Sequence, residues 1–530
     1  MTASIHPPLV RRLLEPAAYP HPTAGIRLVE THISWVFLTG PFAYKVKKPV
    51  NFGFLDFTTL ERRRGFCADE VRISGRFAPD IYLGAVPITG TQDAPRVAGE
   101  GTPIEWAVKL VQFDEAERLD NLFEAGRLTA PDCEQLGAEI ARIEESLAVA
   151  EATSGWGTVE SVRTAAATMC ERLRESRPDV AVRAEAVERW LTARLEAAGP
   201  CLETRRAAGR VRECHGDLHL ANLVRHHGRM VAFDAIEFNP DLRWIDVASD
   251  VAFLVMDLRS RGRPDLAAHV TSAWMESADD HAASAVLPIY EVYRALVRAG
   301  VAALRGDRDD PPGTARTETE RYLGLAERLT SPRSPRLFAT CGISGSGKTT
   351  LASGIVGACG AVRLRSDVER KRVLGMRPTE RPRDALHAME LYGDATTRRV
   401  YERLADVAGT LLDAGASVVI DAACNRRWQR EILTAVARRT GRPLVWLDCD
   451  VPVEAAVARV TARNAAGTDA SDASADVVRA QAADREPITW GELMAPAGVD
   501  PPRRVRVTER ELADPGFIAR LAGARGSANE

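Results

Sequence analysis

Lysine is scarce in this chain. Among 70 basic residues in 530, only Lys45, Lys47, Lys48, Lys109, Lys348 and Lys371 are lysines. Where arginine is the default cation, each lysine points to a place where a compact ammonium is wanted. Three of the six share one short segment. Long apolar runs are missing too: no stretch reaches the roughly 20 residues that a bilayer-spanning helix needs. The opening residues, MTASIHPPLVRRLLEPAAYP, hold no apolar core followed by a small-residue cleavage site. The nine cysteines form no CxxC pair, are odd in number and are scattered, which excludes a disulfide or zinc framework. A formal net charge of −3 argues against a general nucleic-acid binder. The expectation is a cytoplasmic chain with reduced thiols and no membrane partner.

What is present is enough for more than one hydrophobic core, because 530 residues exceed what a single core supports. Residues 26–49 read as strands, with ISWVFL at 33–38 and FAYKVK at 42–47 separated by a Thr-Gly-Pro turn. A charged helix is expected at 59–77, and further strands at 81–88 and 106–113. Residues 114–208 read as mostly helical. Two short apolar runs follow at 218–224 and 230–233, then helices to 329. The segment Ser331-Pro-Arg-Ser-Pro335 cannot continue a helix and reads as a linker. Beyond it, strands at 337–341, 361–364, 417–420, 443–447 and 505–507 alternate with helical patterns, which means a parallel sheet covered by helices. Residues 465–475 read as a loop and 523–530 as a disordered tail. The division expected is 1–330, a 331–335 linker and 336–522, each half folding and binding nucleotide by itself.

Two phosphoryl-transfer signatures of different architecture stand on these two parts. In the first, Asn222 comes five residues after Asp217 in His215-Gly-Asp217-Leu-His-Leu-Ala-Asn222, so a loop can aim Asp217 at an acceptor hydroxyl and return Asn222 to a metal. Asp234 ends the apolar run 230–233, where a second metal-binding carboxylate belongs. These positions resemble the aminoglycoside phosphotransferase and choline kinase group of the protein-kinase-like superfamily. Phe233-Asp234-Ala-Ile-Glu237-Phe resembles that group's metal-binding segment, and Trp244-Ile-Asp246-Val-Ala is similar to the helix start that follows it, where the family's Asp is structural. The resemblance implies an α+β bilobal kinase-like fold over 25–330. It implies a strand lysine, Lys45 or Lys47, which two-residue alternation puts on one strand face. It implies a carboxylate partner for that lysine, Glu70 or else Glu61. The turn at 29–32 stands where a Gly-rich loop would be. His219, His226 and His227 lack a partnered ligand set and read as a solvated loop.

The second signature is Gly342-Ile343-Ser344-Gly345-Ser346-Gly347-Lys348-Thr349-Thr350, a Walker A loop between a strand and a helix. Its backbone amides wrap phosphates, Lys348 reaches the β and γ oxygens, and the Thr349 hydroxyl binds Mg²⁺. The 418–421 strand ends in Asp421, a Walker-B-like position for a metal-bound water. The segment Ser366-Asp367-Val-Glu-Arg370 resembles polynucleotide kinases, zeta-type toxins and gluconate-kinase-like enzymes. That resemblance implies an α/β P-loop fold with Asp367 as base and Arg370 as a substrate contact. Arg459 and Arg463, four apart on one helix face, fit an arginine-bearing lid over the nucleotide. The basic residues of 363–383 suit an anionic substrate or a solvated surface.

The whole reads as an ATP- and Mg²⁺-dependent phosphotransferase with two kinase-like parts and unknown hydroxyl acceptors. A rival reading makes the P-loop part a slow ATP-hydrolysing switch. A third makes it a 5′-hydroxyl nucleic-acid kinase, the one route by which nucleic acid would enter as a partner.

Overall fold

The computed structural model describes residues 6–53, 55–306, 311–377, 380, 390–466, 474–494 and 500–523. All but Gly523 of the expected tail at 523–530, most of the expected loop at 465–475, and Arg381 and Arg383 lie outside them. No helix among the described residues is long and apolar enough to cross a membrane.

The chain forms two compact units. The first comprises Met1–Thr129, Arg142–Asp257 and Tyr293–Arg308; the second comprises Ala130–Ala141, Leu258–Val292 and Asp309–Glu530. The second unit therefore takes in two stretches that lie well before the 331–335 segment.

In the first unit, β1 (Arg27–Glu30), β2 (Ser34–Leu38), β3 (Phe42–Lys47), β4 (Tyr82–Thr91), β5 (Ala94–Val97) and β6 (Glu105–Val111) form one antiparallel sheet in the order β1-β2-β3-β6-β4-β5. β5 is the hairpin partner of β4, and its short, Pro-containing run carried no clear strand pattern. No glycine-rich loop joins β1 to β2. The turn is closed by Thr31 and Ser34, which exchange backbone and hydroxyl hydrogen bonds. The helix Leu60–Ser74 begins where Thr59 accepts from the N–H of Arg62, an ordinary N-cap.

Below the sheet, β7 (Val211–Glu213) leads into the 214–222 loop, followed by the hairpin of β8 (Leu223–His226) and β9 (Arg229–Ala232). β10 (Trp244–Asp246) pairs back on β7. Val224 and Val231 pack in one buried cluster with Cys67, Ile81 and Val108, which carries the loop and hairpin to the sheet and its helix.

In the second unit, β11 (Leu337–Cys341), β12 (Val362–Arg365), β13 (Val418–Asp421), β14 (Leu444–Cys449) and β15 (Arg503–Val507) form a fully parallel sheet in the order β12-β13-β11-β14-β15. Every residue of β11, β13 and β14 is buried, as expected for strands covered on both faces. Ala268 of the helix Pro264–Ala278 lies in the same core cluster as Phe338, Leu351, Ile355 and Val419.

Candidate active sites

The kinase-type loop is held by groups that its motif does not reveal. Asp250 accepts from the N–H groups of His215 and Gly216, both at 2.9 Å. Gly216 has φ +83°, and a Cβ there would sit 2.7 Å from the Leu242 carbonyl oxygen, so only glycine fits. The N–H of Asp217 donates to His215 Nδ1 at 3.3 Å. The other ring nitrogen, Nε2, then carries the hydrogen and donates to the Phe233 carbonyl at 2.9 Å. Burial lowers the His215 pKa and keeps the ring neutral, in keeping with that tautomer.

Asn222 Nδ2 donates to both Oδ2 and the carbonyl oxygen of Asp217, each at 3.0 Å. Loss of water pushes the Asp217 carboxyl up, but His219 and Arg298 outweigh it, and the net direction is down. Asp217 is thus an ionised acceptor at neutral pH. His219 is not a solvated loop residue, contrary to the expectation: its Nε2 lies 3.4 Å from Asp217 Oδ2, and its ring meets Phe253 edge-on. The Asp217 contact is local, two residues away, whereas Phe253 comes from a later helix.

Asp234 follows β9 at φ +63°, a left-handed conformation that Asp tolerates better than most residues. Its N–H donates to the Tyr82 hydroxyl at 2.9 Å. Lys45 Nζ donates to Asp234 and to Glu70 Oε1, the latter at 2.9 Å. Lys47 Nζ donates to Glu70 Oε2 at 2.8 Å and to Glu237. Of the two carboxylates offered as the lysine partner, Glu70 is fully buried between both lysines, whereas Glu61 is exposed in the first helical turn. Burial raises the Glu70 carboxyl, yet the two ammonium groups bring it down to about 2. Glu237, three residues after Asp234, is the second counter-charge of Lys47.

Magnesium favours hard oxygen donors and keeps several waters or phosphate oxygens. The donors here fit that preference. Asn222 has its amide nitrogen committed to Asp217, which leaves Oδ1. Asp234 has one oxygen on Lys45, and its side chain is 45% exposed. Among the described residues no group of three or more His, Cys, Asp or Glu converges on a point, so these two would share the ion with non-protein oxygens.

In the second unit the Walker loop bends through Gly342, Gly345 and Gly347, at φ +141°, +80° and +87°. A Cβ on Gly345 would lie 2.4 Å from the Ala456 carbonyl oxygen, and one on Gly347 2.7 Å from Leu512 Cδ1. Gly342 N–H donates to Ala423 O at 2.8 Å, tying the loop to the segment after β13. Lys348 Nζ donates to the Ile343 carbonyl at 2.7 Å. Burial lowers the Lys348 pKa against the opposing pull of Asp421 and Asp367. Burial likewise raises the Asp421 carboxyl, with Lys348, Arg363 and a hydrogen bond from Thr349 acting the other way. Lys348, Thr349, Asp421 and Asp367 therefore feel one another at one end of the sheet, and Thr349 with Asp421 supplies oxygen donors suited to Mg²⁺.

Other expected contacts are arranged differently. Ser344 N–H donates to Gln481 Oε1 at 2.7 Å, a partner 137 residues away that no local signal marks. Arg459 reaches Glu509 at 2.7 Å and the Gly345 carbonyl at 3.4 Å. The side chain of Arg463 lies outside the described residues. Arg370 donates to Leu391 O and Thr397 Oγ1, both at 3.0 Å, and sits over the Tyr392 ring. The basic 363–383 stretch is not one continuous free surface. Arg363 pairs with Glu134 at 3.1 Å, Arg365 with Glu276, and Arg372 with Glu369.

Comparison with known proteins finds two matching segments. Residues 63–287 match the family described as "Phosphotransferase enzyme family", and residues 337–488 match an "AAA domain" family. An uncharacterized protein of Mycobacterium tuberculosis strain H37Rv is 29% identical over 478 residues, covering 88% of this chain and 92% of that protein. A Mycobacterium bovis counterpart gives the same figures. Among solved structures, a choline/ethanolamine kinase family protein from Mesorhizobium loti is 13% identical with TM-score 0.37, covering 61% of this chain and 95% of its own. The APS kinase of Mycobacterium tuberculosis is 22% identical with TM-score 0.23, covering 36% and 95%. Residues 63–287 are thus similar to the phosphotransferase family and residues 337–488 to the AAA-domain family, the two segments that carry the His215–Asn222 loop and the Walker loop.

Proposed function

We propose that the chain is an ATP- and Mg²⁺-dependent phosphotransferase in which each kinase-like part moves the γ-phosphoryl group of ATP to a hydroxyl of a small molecule. The observation that carries the reading is the first unit's assembly of Lys45, Glu70, Asp217, Asn222 and Asp234 from four separated segments. Lys45, balanced by Glu70, is the cation for the nucleotide phosphates. Asn222 and Asp234 are the metal donors. Asp217, ionised and aimed by Asn222, takes the acceptor hydroxyl's proton as that oxygen bonds to phosphorus and the bond to the β-phosphate oxygen breaks. Bound Mg²⁺ would neutralise phosphate charge.

In the second unit Lys348 is the phosphate cation, Thr349 and Asp421 the metal donors, Asp367 the base and Arg370 a substrate contact. Arg459 and Arg463 belong to the nucleotide lid in this reading. A cytoplasmic setting suits an ATP-using enzyme. The switch reading draws support from Arg370, whose guanidinium is already engaged by Leu391 and Thr397.

The test is a metabolite screen with labelled ATP on the full chain and on Asp217→Asn and Asp367→Asn variants. Each variant should lose one class of acceptor phosphorylation by about 10²–10⁴-fold. Unchanged transfer in Asp217→Asn would overturn the first assignment. Slow acceptor-independent hydrolysis unaffected by Asp367→Asn would favour the switch.

A further inference from the structure

The second unit has a cavity of about 400 Å³ that belongs to neither phosphate site. Its lining includes Pro335, just before β11; Ala361, just before β12; and Ser417, just before β13. In a parallel sheet these starting points share one edge, and the Walker loop follows β11 at the other. Five residues of strand separate the two edges by about 17 Å. Ligands of open parallel sheets bind beyond the carboxyl ends of the strands, so this cavity lies at the wrong end to be part of the nucleotide site. Its volume falls within the roughly 300–1,000 Å³ typical of small-molecule pockets.

The charge of the lining is one-sided. Among the described residues it holds three arginines, Arg259, Arg328 and Arg333, against one carboxylate, Glu291. The Glu291 side chain is only 2% exposed, and its Oε2 lies 2.7 Å from Arg259 Nε. The angle between them is not that of a hydrogen bond, and neither atom has a hydrogen-bond partner in the protein. A buried donor and acceptor left in this state are costly unless something polar in the cavity completes them. Ser331 and Ser334 of the connecting segment add hydroxyls to the wall. Ser417 is tied to that segment's end by accepting from the Arg336 N–H at 3.2 Å.

We propose that this cavity is a second ligand site, for a small polyanion bearing phosphate or carboxylate groups. The arginines supply the charge, and the serines and the incompletely bonded Arg259–Glu291 pair supply the directional contacts. The site stands independently of the phosphotransferase reading.

Cys359 also lines the cavity and is partly accessible, as is Cys201 elsewhere in the chain; the other seven thiols are buried. The test is thiol footprinting of the full chain by mass spectrometry, with pyrophosphate as the probe and Cys201 as the internal reference. Pyrophosphate should slow labelling of Cys359 several-fold and leave Cys201 unchanged. The protection should survive Lys348→Ala, which weakens anion binding at the Walker loop. It should vanish in an Arg328→Ala/Arg333→Ala variant, whose changes are at exposed positions and leave the fold intact. No protection of Cys359, or protection lost with Lys348→Ala but kept in the double-arginine variant, would overturn the proposal.

Discussion

Lys45 and Lys47 share one carboxylate: Nζ of Lys45 lies 2.9 Å from Glu70 Oε1, and Nζ of Lys47 lies 2.8 Å from Oε2. Their other partners separate them. Lys45 also holds Asp234, whose side chain is 45% exposed, whereas Lys47 holds Glu237 and is wholly buried.

This division gives the two lysines different expected phenotypes. Lys45→Ala should reduce turnover and ATP affinity in the first unit, since the lost cation faces the metal-donor carboxylate. Lys47→Ala should act on stability, because it leaves Glu70 and Glu237 buried without their shared counter-charge. Breaking such a buried pair costs about 3–5 kcal/mol. Urea unfolding and ATP titration of both variants check this; equal stability loss with equal activity would refute the division.

Lys348→Ala should abolish nucleotide-dependent turnover of the P-loop part. Its ammonium acts on Asp421, which also takes a hydrogen bond from Thr349, and it is the cation that the Walker loop offers to the phosphates in the proposed reading. Phosphorylation dependent on Asp217 should persist, because its cation is Lys45. Single-turnover assays of Lys348→Ala against Lys45→Ala decide the matter. Loss of both activities in Lys348→Ala would mean coupled parts and would favour the switch.

The Glu213 carboxylate ends β7, just before the 214–222 loop, and meets Arg72 at 2.9 Å, Arg76 at 2.8 Å and Arg243 at 3.0 Å. Burial raises its pKa, but the arginines outweigh this and bring it from 4.5 to about 2. A carboxyl depressed in the folded state stabilises fully above its unfolded pKa. That contribution is lost as pH falls through the folded value. The cluster, with solvent screening of the half-exposed Arg72 taken off, should therefore add about 1–2 kcal/mol at neutral pH that disappears between about pH 4.5 and 2. Glu213→Gln should flatten the stability–pH curve in that window, as denaturant titrations at stepped pH would record.

A fragment covering 331–530 should be less stable than the full chain's second unit. It would lack Ala268 from the core cluster and would strip Arg363 and Arg365 of Glu134 and Glu276. The expected result is a lowered or non-cooperative thermal transition, partly restored in a fragment that begins at 258. Cooperative unfolding of 331–530 with a full ATP-induced shift would uphold the division into separate halves.

Local pattern determined much of this protein. The Walker loop, the His215–Asn222 loop, Asp234, and the strands around 34–47 and 337–341 are legible because spacing and periodicity are properties of neighbouring residues. Two phosphoryl-transfer signatures of different architecture on one chain follow from those motifs alone. Tertiary structure decided what no window along the chain contains. It chose Glu70 over Glu61, because only Glu70 is carried between the two lysines of β3. It gave Gln481 to Ser344 and Asp250 to the turn at Gly216. It also consumed Arg363 and Arg365 in pairs with Glu134 and Glu276, where sequence showed only a basic stretch. The physical reason is common to all of these: a buried charge or amide must find a partner in space, and the fold brings that partner from a part of the chain whose distance in sequence carries no signal.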